Sequence, residues 1–211
     1  MRPARVRLID LGFDGAFDTS MSFAQSLIQS IGARTNGNPI AEIEFIRTRD
    51  PVTVRTALQA DATVVHIMAH GTTDPDGLGF WSEDEKTGLT LTELAEAFAD
   101  DGVGIGADVV YADCCSTAQG RFVRAIRDCI ATPIAYIGAR RTVDWHEATT
   151  FASAFYGSLF KDRGKGLTPV ERGVRAAERA IRGYEDIVDG PCPFVVKELT
   201  PSRRAQKALA W

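Results

Sequence analysis

Two short stretches of this 211-residue chain carry the residue types of covalent chemistry. His70-Gly71 ends one apolar run and Cys114-Cys115 ends another. A thiol is a weak nucleophile until it loses its proton, and a nearby imidazole can take that proton or stabilise the thiolate. Glycine after the histidine lets the backbone approach a substrate carbonyl. The N–H groups of Gly71 and Cys115 could then hold a developing oxyanion. These are the parts of an acyl-transfer site, provided the chain folds so that they meet.

Competing chemistries fare worse. His66 and His70 have a spacing that suits metal ligands on a helix. On a strand they stand about 13 Å apart at ~3.3 Å per residue, too far to share an ion. His66, inside its strand, reads as structural. The four cysteines, Cys114, Cys115, Cys129 and Cys192, contain no CxxC spacing, so no metal site is expected. Cys129 and Cys192 read as small buried hydrophobes. The glycines at 102, 104 and 106 precede a strand where a dinucleotide fingerprint follows one, so no cofactor is expected.

The elements that must position these residues alternate between strand and helix. Strands are expected at 6–11, 41–46, 62–69, 107–112, 133–138 and 193–199. Helices are expected at 20–31, 51–60, after a Thr90 or Thr92 cap, at 120–130, 146–160 and 169–182. A hairpin is expected through Phe80, Trp81 and Gly88, with Glu83-Asp84-Glu85 as its solvated tip. Such alternation implies a mostly parallel sheet of about six strands with helices on both faces, an α/β fold. Sites in these sheets form beyond the carboxyl ends of the strands, where the His70 and Cys115 segments lie. One domain is expected over residues 1–200, with 201–211 as a C-terminal tail, a short helix or disordered.

Several segments resemble caspase-like cysteine peptidases, and especially bacterial CHAT domains. Val65 to Gly71 resembles their strand-His-Gly motif, and Val109 to Thr117 their strand ending in a cysteine and threonine. Ile137 to Asp144 is similar to the segment running from an Ile-Gly strand end into Val-Asp. Ala148-Thr149, Phe155-Tyr156, Thr168 to Glu171 and Ala176-Ala177 continue in register, so the resemblance covers roughly 64–182. The separation of His70 from Cys115 is 115 − 70 = 45 residues, near the roughly 50 of caspases. The resemblance implies a three-layer caspase-like sandwich with a His70–Cys115 dyad. Aligning Thr117 with the motif's threonine makes Cys115 the nucleophile. A shift by one residue would make it Cys114 and put Ala112 in the pocket.

Asp113-Cys114-Cys115 also resembles the Asp-x-Cys motif of metacaspases, whose aspartate binds a basic P1 side chain. That implies selection of Arg or Lys through a charge-assisted hydrogen bond. CHAT domains often carry serine there, so the chain departs from that pattern. Asp144 is a further substrate-binding candidate and Trp145 could wall a subsite; Asp14 and Asp18 are other acidic candidates on strand-end loops.

Bulk properties narrow the partners. The net charge of −4, with scattered basic residues, does not suit a nucleic-acid partner. No apolar run approaches the ~20 residues needed to span a bilayer, and Met1 to Arg5 leads into a strand without a signal-peptide core. Free thiols fit a reducing compartment, so a cytoplasmic protein is expected. The expected activity is limited proteolysis of a protein or peptide substrate, under a separate activator or sensor protein. Kinship suggests bacterial defence or cell death. The alternatives are a catalytically silent caspase-like module that binds partners or dimerises, and a flavodoxin-like domain using Asp10 and Asp14.

Overall fold

The computed structural model describes residues 3–11, 15–32, 40–72, 74, 77–84, 86–161 and 166–208. Asp14 and Glu85 lie outside these. A six-stranded sheet runs in the order β2-β1-β3-β7-β8-β9, formed by Ala41–Arg47, Ala4–Asp10, Ala62–Met68, Ala107–Asp113, Ile134–Ala139 and Phe194–Leu199. All neighbours pair in parallel except β9, which runs antiparallel at one edge.

The inner strands β3, β7 and β8 are apolar on both faces and almost wholly buried, as coverage of the sheet on two sides requires. In β3 and β7, successive residues point to opposite faces. Val65, Ile67, Val110 and Ala112 join a core with helices α2 (Pro51–Gln59), α3 (Leu91–Asp101) and α4 (Gly120–Ile126). Val64, Met68, Val109 and Tyr111 join the opposite core with α1 (Gly15–Gly32), α5 (Trp145–Lys161) and α6 (Pro169–Val188). The result is the three-layer α/β sandwich expected from the alternation.

Helix boundaries follow the capping chemistry of the sequence. Asp50 accepts from the N–H groups of Val52 and Thr53, and Pro51 opens α2. Thr90 caps α3 in a reciprocal box with Glu93, and the helix ends at Gly102 with φ of 65°. Thr168 and Glu171 form the same box at the start of α6.

One detail differs from the sequence reading. The strand expected over 62–69 ends at Met68, and His70–Gly71 begins a separate strand, β4. It joins β5 (Gly79–Trp81) and β6 (Gly88–Thr90) in a small antiparallel sheet of three strands. The C-terminal segment contains helix α7 (Arg203–Ala208), with Ala205 buried and the Ser202 N–H donating to the Arg127 carbonyl at 2.9 Å.

Candidate active site

Strand register brings the two key segments together. Along β3 and β7, Ala62 pairs with Ala107 and Met68 with Asp113, a constant offset of 107 − 62 = 113 − 68 = 45. His70 and Cys115 are separated by the same 45 residues. They therefore leave the sheet at the same level, from adjacent strands, at its carboxyl edge. The backbones touch just beyond: a Cβ built on Gly71 would fall 2.1 Å from the Cys115 carbonyl oxygen. Only glycine permits that approach.

His70 stands opposite Trp81 in the small sheet, and Gly71 opposite Phe80. His70, Gly71, Thr72, Asp74, Gly77 and Trp81 line an open cleft of about 320 Å³. The Trp81 indole donates to the Gly77 carbonyl at 2.6 Å. Gly88 makes room for its ring, since a Cβ there would meet the indole at 2.4 Å. Trp81 as a wall beside His70 was not anticipated from the sequence. The signal was an aromatic in a Gly-rich hairpin directly after the His-Gly pair.

The two cysteines have different surroundings. Cys114 is buried, lies on the α2–α4 side, and its thiol donates to the Ile67 carbonyl at 3.6 Å. Burial, then the charges of Asp113 and Cys115, push its pKa well above that of a free thiol, so it stays protonated and inert. Cys115 is half-buried, with Sγ 4.0 Å from the Val143 carbonyl. It thus sits between the β4 backbone and the loop that enters α5.

The segment after Cys115 is tied down. Ser116 adopts a left-handed φ of 59°, uncommon for a residue other than glycine. Its N–H donates to the Arg141 carbonyl at 3.1 Å. The Thr117 hydroxyl donates to the Cys114 carbonyl at 3.0 Å and accepts from the Ala139 N–H at 3.1 Å. The Tyr136 hydroxyl donates to the Thr117 carbonyl at 3.0 Å. The chain after the thiol is thereby anchored to the end of β8.

The other candidates spread out. Asp113 does not line the cleft beside His70. Its side chain is 5% exposed and faces His66, whose Nε2 lies 3.4 Å away. Asp144 is exposed at the entry to α5, where its N–H donates to Glu147 at 3.2 Å and its carboxylate accepts from the Glu147 N–H at 2.9 Å. It thus has a capping role in addition to any role toward substrate. Trp145 is exposed and rests against His146. Both follow Val143, which touches Cys115. Asp18 is exposed and paired with Arg47 at 2.7 Å; Asp10 is buried and paired with the same arginine at 3.2 Å. Among the described residues no group of His, Cys, Asp or Glu is arranged to hold a metal ion. No helix among them is long and apolar enough to cross a membrane.

Solved structures share this architecture. A secreted C11 cysteine protease from Bacteroides thetaiotaomicron, called iotapain, superposes with a TM-score of 0.57 at 11% identity, over 94% of this chain and 67% of that one. A C11 protease from the same organism, in complex with an irreversible peptide inhibitor, gives 0.54 at 12% identity, over 88% of this chain and 60% of that one. An inactive zymogen C11 protease from Parabacteroides distasonis gives 0.51 at 14% identity, over 88% and 60%. The fold is that of the caspase-like C11 proteases. At these identities the likeness concerns architecture, and the chain spans about 60% of the length of the inhibitor-bound neighbour. No family model matches the sequence, and no curated protein matches it.

Proposed function

We propose that the chain is a cysteine endopeptidase with His70 and Cys115 as its dyad. The observation that carries this reading is the shared offset of 45 between the β3–β7 register and the His70–Cys115 spacing, together with the backbone contact of Gly71 on Cys115. The inert setting of Cys114 favours Cys115 of the two thiols. A neighbour of the same fold is described with an irreversible peptide inhibitor, which supports a protein or peptide substrate.

In this reading His70 takes the Cys115 proton, and Sγ forms a bond to the scissile carbonyl carbon. The N–H groups of Gly71 and Cys115 hold the oxyanion. The C–N bond breaks as His70 returns the proton to the leaving amine, leaving a thioester on Cys115. Water, deprotonated by His70, releases the acid and restores the thiol. Asp113 selects Arg or Lys at P1 by a charge-assisted hydrogen bond, and an unpaired carboxylate there penalises other side chains. Asp113 is 5% exposed, so entry of a P1 side chain requires the surrounding chain to rearrange. The loop over residues 140–146, whose Val143 carbonyl lies 4.0 Å from Cys115 Sγ, is the proposed moving part, with Asp144 and Trp145 as its proposed substrate-binding residues.

That requirement fits a peptidase held back until a separate activator or sensor protein, or self-cleavage, rearranges its loops. One structural neighbour is described as an inactive zymogen. The CHAT-like segments support a place in bacterial defence or cell death, and the free thiols support a cytoplasmic setting, although the Bacteroides neighbours are described as secreted. A panel of fluorogenic peptides with Arg, Lys, Asp or Leu at P1 tests the reading. Cleavage after Arg or Lys, abolished in Cys115→Ala, is expected. Cleavage confined to Asp or Leu overturns the pocket. Failure of an electrophilic peptide to label Cys115 favours the silent module.

A further inference from the structure

His66 is fully buried in the middle of β3, and the dyad chemistry does not use it. It pairs with Tyr111 on β7, two residues before Asp113, so its side chain is the diagonal neighbour of the Asp113 side chain on one sheet face. Its Nε2 lies 3.4 Å from Asp113 Oδ2 and its Nδ1 2.9 Å from the Tyr156 hydroxyl. Its ring stacks on Tyr111, with centroids 4.1 Å apart and planes inclined by 19°. The imidazole is thus held at both nitrogens and across its face.

We infer that His66 is the positioning residue for Asp113, orienting the carboxylate so that it can receive a basic P1 side chain. The inference rests on the reading of Asp113 as the P1 partner. A buried carboxylate needs hydrogen-bond donors in place of lost water. His66 supplies such a donor when Nε2 carries the proton. The Asp113 carboxylate oxygen facing Nε2 accepts, which sets that tautomer and leaves Nδ1 to accept from the Tyr156 hydroxyl. Burial, then the charge of Asp113, push the Tyr156 pKa well above the ordinary tyrosine value, so its O–H stays intact. The chain runs Tyr156 O–H to His66 Nδ1, then His66 Nε2–H to Asp113. It commits one carboxylate oxygen inward.

The test uses inactivation of the full chain by peptidyl chloromethyl ketones with Arg or the neutral isostere citrulline at P1, read as KI and kinact by mass spectrometry of Cys115. His66→Asn keeps a polar side chain but cannot reach Asp113, whereas His66→Gln can. KI for the Arg reagent is expected to rise about tenfold in His66→Asn, the loss of one charge-assisted hydrogen bond. Expected alongside are an unchanged kinact, an unchanged KI for citrulline, and recovery in His66→Gln. A general packing defect would move both reagents together. Asp113→Asn is the control. Equal Arg-to-citrulline ratios in wild type, His66→Asn and His66→Gln, with a ratio that Asp113→Asn still lowers, overturn the inference alone. A wild type without preference, unmoved by Asp113→Asn, overturns the P1 assignment and this inference with it. Should His66→Asn fail to fold, Tyr156→Phe takes its place. It is expected to raise KI for Arg selectively, and an unchanged ratio counts against the inference.

Discussion

Gly71 lies against Cys115 so closely that no other residue fits: the nearest atom to a Cβ at position 71 would be the Cys115 carbonyl oxygen, at 2.1 Å, with its carbon at 3.1 Å. Both obstacles are backbone, anchored through Ser116 and Thr117 to β8, so neither can rotate away. Gly71→Ala is therefore expected to push β4 off the end of β7. The expected cost is about 1–3 kcal/mol of stability, as for overpacking elsewhere. Peptidase activity should fall much further, since the separation of His70 and Cys115 changes. Thermal melting and peptide cleavage check the two effects. Full activity in Gly71→Ala would show that the contact does not set the site.

The thiols should separate by reactivity. Burial raises the pKa of Cys114 and Cys129, and pushes Cys192 up to about 11. Iodoacetamide at neutral pH is expected to modify Cys115 first. Cys114→Ala should lose about 1–2 kcal/mol from the vacated core space and keep most of its activity. Cys115→Ala should be as stable as wild type and inactive. Peptide mapping with denaturation curves decides; preferential labelling of Cys114 would reverse the assignment.

Much of the sheet was legible because burial on both faces writes itself into the composition of β1, β3, β7 and β8, and because Pro51, Thr90 and Thr168 announce helix starts. The 45-residue spacing was also visible. Its meaning was not, since it becomes a register only once β3 and β7 are known to be neighbours. The His66–Asp113 contact was hidden for the same reason: it is diagonal across two strands. Strand β4 has two residues, too few for any alternation to show. The left-handed Ser116 gave no signal because serine rarely needs that conformation.

Thr117 should matter through its hydroxyl more than its shape. Thr117→Val keeps the volume but removes the donor to Cys114 and Ala112 and the acceptor for the Ala139 N–H. Buried backbone groups are left unsatisfied, at about 1–3 kcal/mol. Thr117→Ser retains the hydroxyl and loses one methyl group, about 0.8 kcal/mol. Activity is expected to follow the hydroxyl, high in Thr117→Ser and low in Thr117→Val. Equal activities in the two variants would remove the hydroxyl from the account.

Glu147 links the loop beside Cys115 to the body of the fold, and gives it an acid limit. Its carboxylate accepts from Arg141 at 2.6 and 2.9 Å, from the Asp144 N–H at 3.2 Å and from the Tyr184 hydroxyl at 3.1 Å. The Arg141 hydrogen bonds, then those from Asp144 and Tyr184, hold its pKa below the usual glutamate value against the opposing effect of burial. A folded-state pKa below the unfolded one means the folded protein binds the proton less readily. The stabilisation is therefore complete above the unfolded value of ~4.3 and is lost as pH falls through the depressed one. Arg141 is half exposed, so solvent screening limits the gain to about 1 kcal/mol or less. Glu147→Gln is expected to melt lower than wild type at neutral pH, with the gap closing on acidification below pH ~4.3. Because Val143 lies in the same loop and touches Cys115, peptide cleavage should weaken in Glu147→Gln at neutral pH as well. A melting gap that persists unchanged into acid would show that the charge of Glu147 is not what holds the loop.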